Sequence, residues 1–299
     1  MKTFYFFLLT IFPLTPLFAQ SALENELREL VKDFKGDVGI YVEHLQTGET
    51  ISINGDSLFP SASMVKVPIL AGIFNKLEAG ELTYDGAQVY DSTRYYPGSD
   101  VTGNLRSGSE ISLHKLIFLM LSFSDNTASL WLQELAGTGT EINFLMDELG
   151  LPDTKVNSRT PDRQEFQQQY GWGMTSPRQM ATLLKKIRAG EVVSKSASEE
   201  MYRLLTKTLW DKEAISQLPP YVNVASKQGA VNRSRSEVLL VNGPDGDYML
   251  CFITKNQEDM SWNADNEGWV LLRAVSKAVW THYAPSDDWN PKEGASRYQ

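Results

Sequence analysis

Residues 221–254 read YVNVASKQGAVNRSRSEVLLVNGPDGDYMLCFIT. Apolar and β-branched residues recur there in three short runs, 221–230, 237–241 and 248–254, and Asn242-Gly243-Pro244-Asp245-Gly246 supplies a turn between the last two. Three antiparallel strands are predicted. At the other end of the chain, leucines and Val31 at helical spacing in residues 22–34 precede two more strand-like runs, 38–45 and 50–53, joined by Gln46-Thr47-Gly48. Residues 265–283 carry a closing helical pattern. Residues 59–208 between these ends are helical in pattern, with loop-rich stretches at 91–110 and 151–175 and no long strand. The economical solution is a three-layer α/β sandwich: one antiparallel five-stranded sheet drawn from both chain ends, flanked by helices, with an all-α part inserted and a cleft at the junction. The expected limits are 20–58 and 209–283 for the α/β part, 59–208 for the all-α part, and a loose polar tail at 284–299.

The composition of the 299 residues, 42% hydrophobic and 22% charged, is that of a folded body rather than a disordered chain. A net charge of −9 argues against nucleic acid or an anionic membrane surface as the partner. The first residues, MKTFYFFLLTIFPLTPLFAQ, place Lys2 before an apolar run over 4–18 that ends at Ala19. That is the pattern of a secretory signal peptide over 1–19, cut after Ala19 or Gln20; the run is short for a bilayer span and Pro13 and Pro16 interrupt it. A secreted, periplasmic monomer without a membrane anchor is expected, acting on a small molecule. The single cysteine, Cys251, excludes an internal disulfide and a thiolate cluster, and its setting in YMLCFIT reads as a small buried hydrophobe. His44, His114 and His282 have no metal-ligand spacing, so no metal or other cofactor is expected.

Nucleophilic catalysis without His or Cys needs another base, and a lysine with a depressed pKa is the usual one. Ser-x-x-Lys occurs twice, as Ser63-Met64-Val65-Lys66 and Ser112-Leu113-His114-Lys115. On a helix, residues three apart share a face, so the amine can reach the hydroxyl. Ser112 opens an amphipathic run and reads as an N-cap. Ser63 is different: Ser61 is available as the cap, and Pro68 removes an amide just after Lys66. A second polar triplet, Ser124-Asp125-Asn126, interrupts strongly apolar sequence, which is costly unless its groups are bonded or face a wet cleft. A third group, Lys227-Gln228-Gly229-Ala230, falls on a predicted strand, where Gly229 allows close backbone approach and Lys227 adds a second cation.

With these three groups in this order, the sequence resembles the class A β-lactamases and the related penicillin-recognising serine hydrolases, over residues 24–283. The resemblance extends to Thr175-Ser176-Pro177-Arg178-Gln179-Met180-Ala181 and to the turn Gly243-Pro244-Asp245-Gly246. It implies Ser63 as nucleophile, Lys66 as the amine that deprotonates it, and Ser124 as proton relay to the leaving nitrogen. Asn126 would donate to the substrate amide, Lys227 would face the substrate carboxylate, and the N–H groups of Ser63 and Ala230, beside Gly229, would form an oxyanion hole. Tyr95 or Tyr96 would wall the cleft.

Two departures from the family pattern stand out. Gln228 occupies the place of the Thr or Ser that usually follows the lysine of the third group, and Arg233 or Arg235 lies near the position of a supporting arginine. The deacylating carboxylate, usually Glu with Asn four residues on, has its nearest match in Glu165 with Gln169, Asp162 being the fallback, and Arg159 is the expected anchor of that loop. The implied activity is that of an exported serine hydrolase opening β-lactams through an acyl-enzyme. The alternatives are a D-alanyl-D-alanine peptidase or esterase on the same scaffold, or a soluble domain that senses penicillin by being acylated.

Overall fold

A computed structural model describes residues 15–292. Most of the expected signal peptide, and residues 293–299 of the expected tail, lie outside the described residues. None of the described helices is long and apolar enough to cross a membrane.

Five strands, β1 (Asp37–His44), β2 (Thr50–Ile53), β3 (Val224–Val231), β4 (Ser234–Val241) and β5 (Tyr248–Lys255), form one sheet in the order β2-β1-β5-β4-β3. Every pairing is antiparallel, and β1 meets β5 from Asp37 opposite Lys255 to His44 opposite Tyr248. The two chain ends therefore supply the sheet, as the strand-like runs within 38–53 and 221–254 predict. Side chains two apart point to the same face, and on β5 this sorts two cores. Leu250 and Phe252 join Ile40, Val42 and Leu239 under α1 (Thr15–Val31) and α9 (Glu267–Tyr283), which contribute Leu23, Leu27, Leu272 and Val279. Met249, Cys251 and Ile253 face the other way, toward Met180 and Leu184 of α7 (Pro177–Ala189) and the rest of the helices. Cys251 is fully buried, and burial pushes its thiol pKa up, which leaves it an inert packing group.

The middle of the chain forms α2 (Lys66–Glu78), α3 (Leu113–Ser122), α4 (Asn126–Leu135), α5 (Thr138–Glu148) and α8 (Lys195–Leu205), with α7 bridging to the sheet. Strands there are no longer than three residues: Phe59–Pro60, Gly173–Thr175 and Lys155–Val156 pair in one ribbon, Ala87–Val89 and Glu110–Ser112 in another. The first ribbon is pressed against β1, where a Cβ on Gly39 would come within 2.6 Å of the Phe59 ring. The predicted loop 151–175 contains a short helix, α6 (Gln164–Tyr170). Seven residues are too few for a periodic apolar stripe, which is why pattern alone reads as loop. The strand predicted from residue 237 begins at Ser234, because Arg235 is carried inward at 0% exposure by backbone carbonyls rather than by apolar packing. The start of the predicted tail is tied down: Ala284 is buried and Tyr221 donates to Asp287.

Candidate active site

Ser63 lies in a 3-10 turn, Ala62–Val65, that runs directly into α2. The turn is tight because Ala62 takes φ +45°, a left-handed conformation that a residue with a Cβ adopts only when its surroundings impose it. The surroundings are the first ribbon: Ser61 donates its N–H to the Gly173 carbonyl at 2.9 Å, and Met64 closes the turn onto the Ser61 carbonyl. The expected cap by Ser61 does not form. Its hydroxyl is buried without a partner and the turn starts on an αR residue. From the other side β3 presses in: a Cβ on Gly229 would be 2.9 Å from both the Ser63 nitrogen and the Ser61 carbonyl, so only glycine lets this strand reach the Ser63 backbone.

Lys66 opens α2 and is 0% exposed. Its Nζ lies 3.1 Å from Ser63 Oγ, 2.9 Å from Ser124 Oγ, 2.5 Å from the Ser124 carbonyl and 3.1 Å from Asn126 Oδ1. Burial, followed by the charge on Lys227, holds this amine well below the ordinary lysine value, Asp125 acting weakly the other way. Lys227, on β3, also approaches Ser124 Oγ, at 3.1 Å, and donates to the Gln228 carbonyl at 2.9 Å. Burial lowers its pKa to about 7, opposed by Glu237. Glu237 itself is buried, bonded to Ser226 at 2.7 Å and to the Ala214 N–H, and pushed up to about 7 by burial.

The Ser124-Asp125-Asn126 triplet works as a junction between α3 and α4. Ser124 has φ +57°, which turns its carbonyl and hydroxyl together onto Lys66. Asp125 caps α4 through Ala128 N–H at 2.7 Å and also accepts from the N–H groups of Val101 and Thr102 at 2.6 and 2.8 Å, at 0% exposure. Its removal orphans the buried N–H groups of Thr102 and Ala128 and the part-buried one of Val101. Asp125→Ala is therefore expected to cost about 3–5 kcal/mol in a urea titration; a loss under about 1 kcal/mol would show that the carboxylate does not hold this junction. Asn126 donates to the Pro97 carbonyl at 3.2 Å, which fixes its amide oxygen toward Lys66.

A cleft opens on both sides of Ser63. One side is a cavity of about 540 Å³ with Tyr96, Asn126, Gln169, Tyr170, Trp172, Ala230, Arg233 and Lys255 in its walls. The other, about 560 Å³, takes in Ser124, Gln228, Gly229, Ala230, Lys212, Trp210, Trp262 and Trp269. Of the two tyrosines considered, Tyr96 lines the cleft, meeting Trp172 edge-on at 4.8 Å.

Ser63, Lys66, Ser124, Asn126, Lys227, Gly229 and Ala230 are thus brought together, and Glu165 is not. It is exposed on α6, which turns its C-terminal residues Gln169 and Tyr170 toward the cleft. Glu165 lies one turn further back, about 6 Å along the axis. Asp162 is exposed as well, and no carboxylate lines the cavity on this side among the described residues. Arg159 does not anchor the loop: it is exposed, with φ +49°. The ties are instead Asn157 to the Gly171 carbonyl and Arg163, Gln133 to Ser158, and Arg163 stacked on Phe166 at 4.3 Å.

The second Ser-x-x-Lys pair is remote from this site. Ser112 holds the N-cap position of α3, but its hydroxyl makes no capping bond, and Lys115 is exposed. Trp172, Trp210, Trp262 and Trp269 escaped the sequence reading. The sequence carries 7 tryptophans, but neither their number nor their spacing places any of them at a cleft.

Comparison with known proteins agrees with this geometry. The β-lactamase AER-1 of Aeromonas hydrophila is 25% identical over 271 residues, 88% of either chain. A β-lactamase of Rhodobacter capsulatus is 26% identical over 263 residues, 86% of this chain and 87% of its own. Among solved structures, that of PBP-A matches with a TM-score of 0.79 at 26% identity, over 89% of this chain and 97% of its own, and a mutant of it was solved as an acyl-enzyme complex with penicillin G. The model of the β-lactamase enzyme family matches residues 22–283, and the chain belongs to that family.

Proposed function

We propose that the protein is a serine hydrolase that opens β-lactam rings by acylation of Ser63. One observation carries this reading: a fully buried lysine amine within hydrogen-bond reach of two serine hydroxyls, one of which faces both halves of the cleft. An ammonium has three protons to give and no lone pair. The neutral amine, favoured by burial and by Lys227, gives two, one to the Ser124 carbonyl and one to Asn126 Oδ1, and its lone pair accepts from the Ser63 hydroxyl. In the acylation step Ser63 Oγ bonds to the lactam carbonyl carbon while its proton passes to Lys66 Nζ. The Ser63 and Ala230 N–H groups hold the oxyanion. The C–N bond then breaks, the nitrogen takes the Ser124 proton, and Lys66 returns one to Ser124. The resemblance to class A enzymes and to PBP-A supports each assignment.

The absence of a carboxylate from the α6 wall favours a second reading of the later step: the Ser63 ester persists, as in a penicillin-acylated peptidase or sensor. Hydrolysis needs a base for its water, and neither Glu165 nor Asp162 reaches the cavity. Incubation with a chromogenic cephalosporin, followed by intact mass, is expected to give a burst of one equivalent of product, a persistent adduct on Ser63 and a slow steady state. Rapid turnover without an adduct would favour the first reading through to hydrolysis, and neither burst nor adduct would sink both. Glu165→Gln is expected to alter burst and steady state by less than about twofold; a stall confined to that variant would restore Glu165 as the base.

The N-terminal apolar run supports export to the periplasm, with a part in antibiotic resistance if hydrolysis is fast. We read residues 20–58 and 209–283 as one α/β part and 59–208 as a helical part, because the Ser63 cleft lies where they meet.

A further inference from the structure

We propose that Trp210, Trp262 and Trp269 form a subsite selecting substrates that carry a planar aromatic group on the leaving-nitrogen side of the scissile bond. The proposal rests on the reading of Ser63 as nucleophile and Ser124 as relay. Ser124 marks where the leaving nitrogen lies, and the cavity of about 560 Å³ that contains it is also lined by the three indoles, with Lys212 and Glu213 among them. Trp262 is 61% exposed and Trp210 is 39% exposed, whereas Trp269 is buried. Two large apolar rings are thus left partly in water in the cavity that also takes in Ser63 and Ser124, at a cost that an apolar ligand removes.

Trp262 is also held in place. The Arg235 guanidinium lies 4.7 Å from its ring and 5.2 Å from that of Trp269. Arg235 is itself 0% exposed; its Nη1 donates to the carbonyls of Val231 and Ser234 and its Nη2 to that of Ser261, the residue before Trp262, while its Nε is buried without a partner. The ring is therefore pre-set on a buried support, and a ligand stacking against it has little motion to freeze. A flat π-faced group fits such walls by stacking. A terminal D-alanine, whose leaving group carries one methyl, would leave most of the cavity empty. The subsite favours bicyclic lactams with an extended aromatic arm over a small peptide leaving group.

The test compares two cephalosporins with the same acyl side chain, one with a dinitrostyryl arm at C3 and one with a methyl there. Their acylation rate constants are read on the parent, Trp262→Ala and Trp262→Phe. The parent is expected to prefer the aromatic arm by about tenfold or more, Trp262→Ala to lose most of that ratio, and Trp262→Phe to retain most of it. Equal rate constants in the parent, or a Trp262→Ala effect equal for both compounds, would overturn the subsite while leaving Ser63 as nucleophile. Titration calorimetry of Ser63→Ala with the same pair reads the subsite without acylation. If the parent forms no ester with either compound, the nucleophile assignment fails, and the binding ratio still decides the subsite: tenfold supports it and unity refutes it.

Discussion

Covalent labelling by a fluorescent penicillin is expected to fall to background when Ser63 is replaced by alanine, and to persist in Ser112→Ala. Both serines precede a lysine by three residues, so the contrast isolates what the fold adds to the motif. Ser63 has Lys66 at 3.1 Å and borders the cleft on both sides, whereas the partner of Ser112 is exposed on α3. The Ser63 hydroxyl accepts no backbone capping bond and its turn is set by Ala62 and the ribbon, so the alanine variant should unfold at the parental temperature within a few degrees. Labelling of Ser63→Ala at the parental rate, read on a denaturing gel, would move the nucleophile elsewhere.

The second large effect is kinetic. Lys66→Met keeps the volume and removes the lone pair, and acylation of Ser63 is expected to slow by about 10²–10⁴-fold, the range typical of a lost general base. The pH dependence follows from two lysines with lowered pKa values. Lys66 must be neutral to act, so acylation rises as pH climbs through its depressed pKa. Lys227 must be charged to hold a substrate carboxylate; with a pKa near 7 it is charged below that and loses its proton above it, so efficiency falls on the alkaline side. A bell-shaped profile is expected in the parent, its alkaline limb flattened in Lys227→Gln. A profile rising monotonically to pH 9 would show that the charge on Lys227 is not used.

What could be read from sequence was whatever depends on short, fixed spacing. Ser63 and Lys66 are one helical turn apart, Ser124 and Asn126 flank a cap, and residues 249–253 alternate between two cores; each follows from local geometry repeated without reference to the rest of the chain. The place of Glu165 is not legible in the sequence for the opposite reason. Its place depends on the path of residues 151–175, set by Asn157, Gln133 and Arg163 through contacts with α4, the ribbon and Phe166, which no periodicity records. Ser61 shows the same limit in miniature. A serine ahead of a helix reads as a cap, yet the N–H of Ser61 is claimed by Gly173, over a hundred residues away, and the hydroxyl is turned aside. Trp262, in the loop after β5, acquires meaning only beside Arg235, from the start of β4.

The pairing of β1 with β5 has a consequence in time. Residues 37–44 leave the ribosome early and their neighbour in the sheet, residues 248–255, almost last. Until then β1 has only the four residues of β2 to pair with in the sheet, and a two-stranded hairpin is marginal in water. The sheet must await the whole chain, and closing so long a loop is slow. The helical middle can collapse first, but Ser63 meets Gly229 and Lys227 only when the late strands arrive. A nascent chain therefore lacks the assembled cleft, which is completed only at the final docking step of folding.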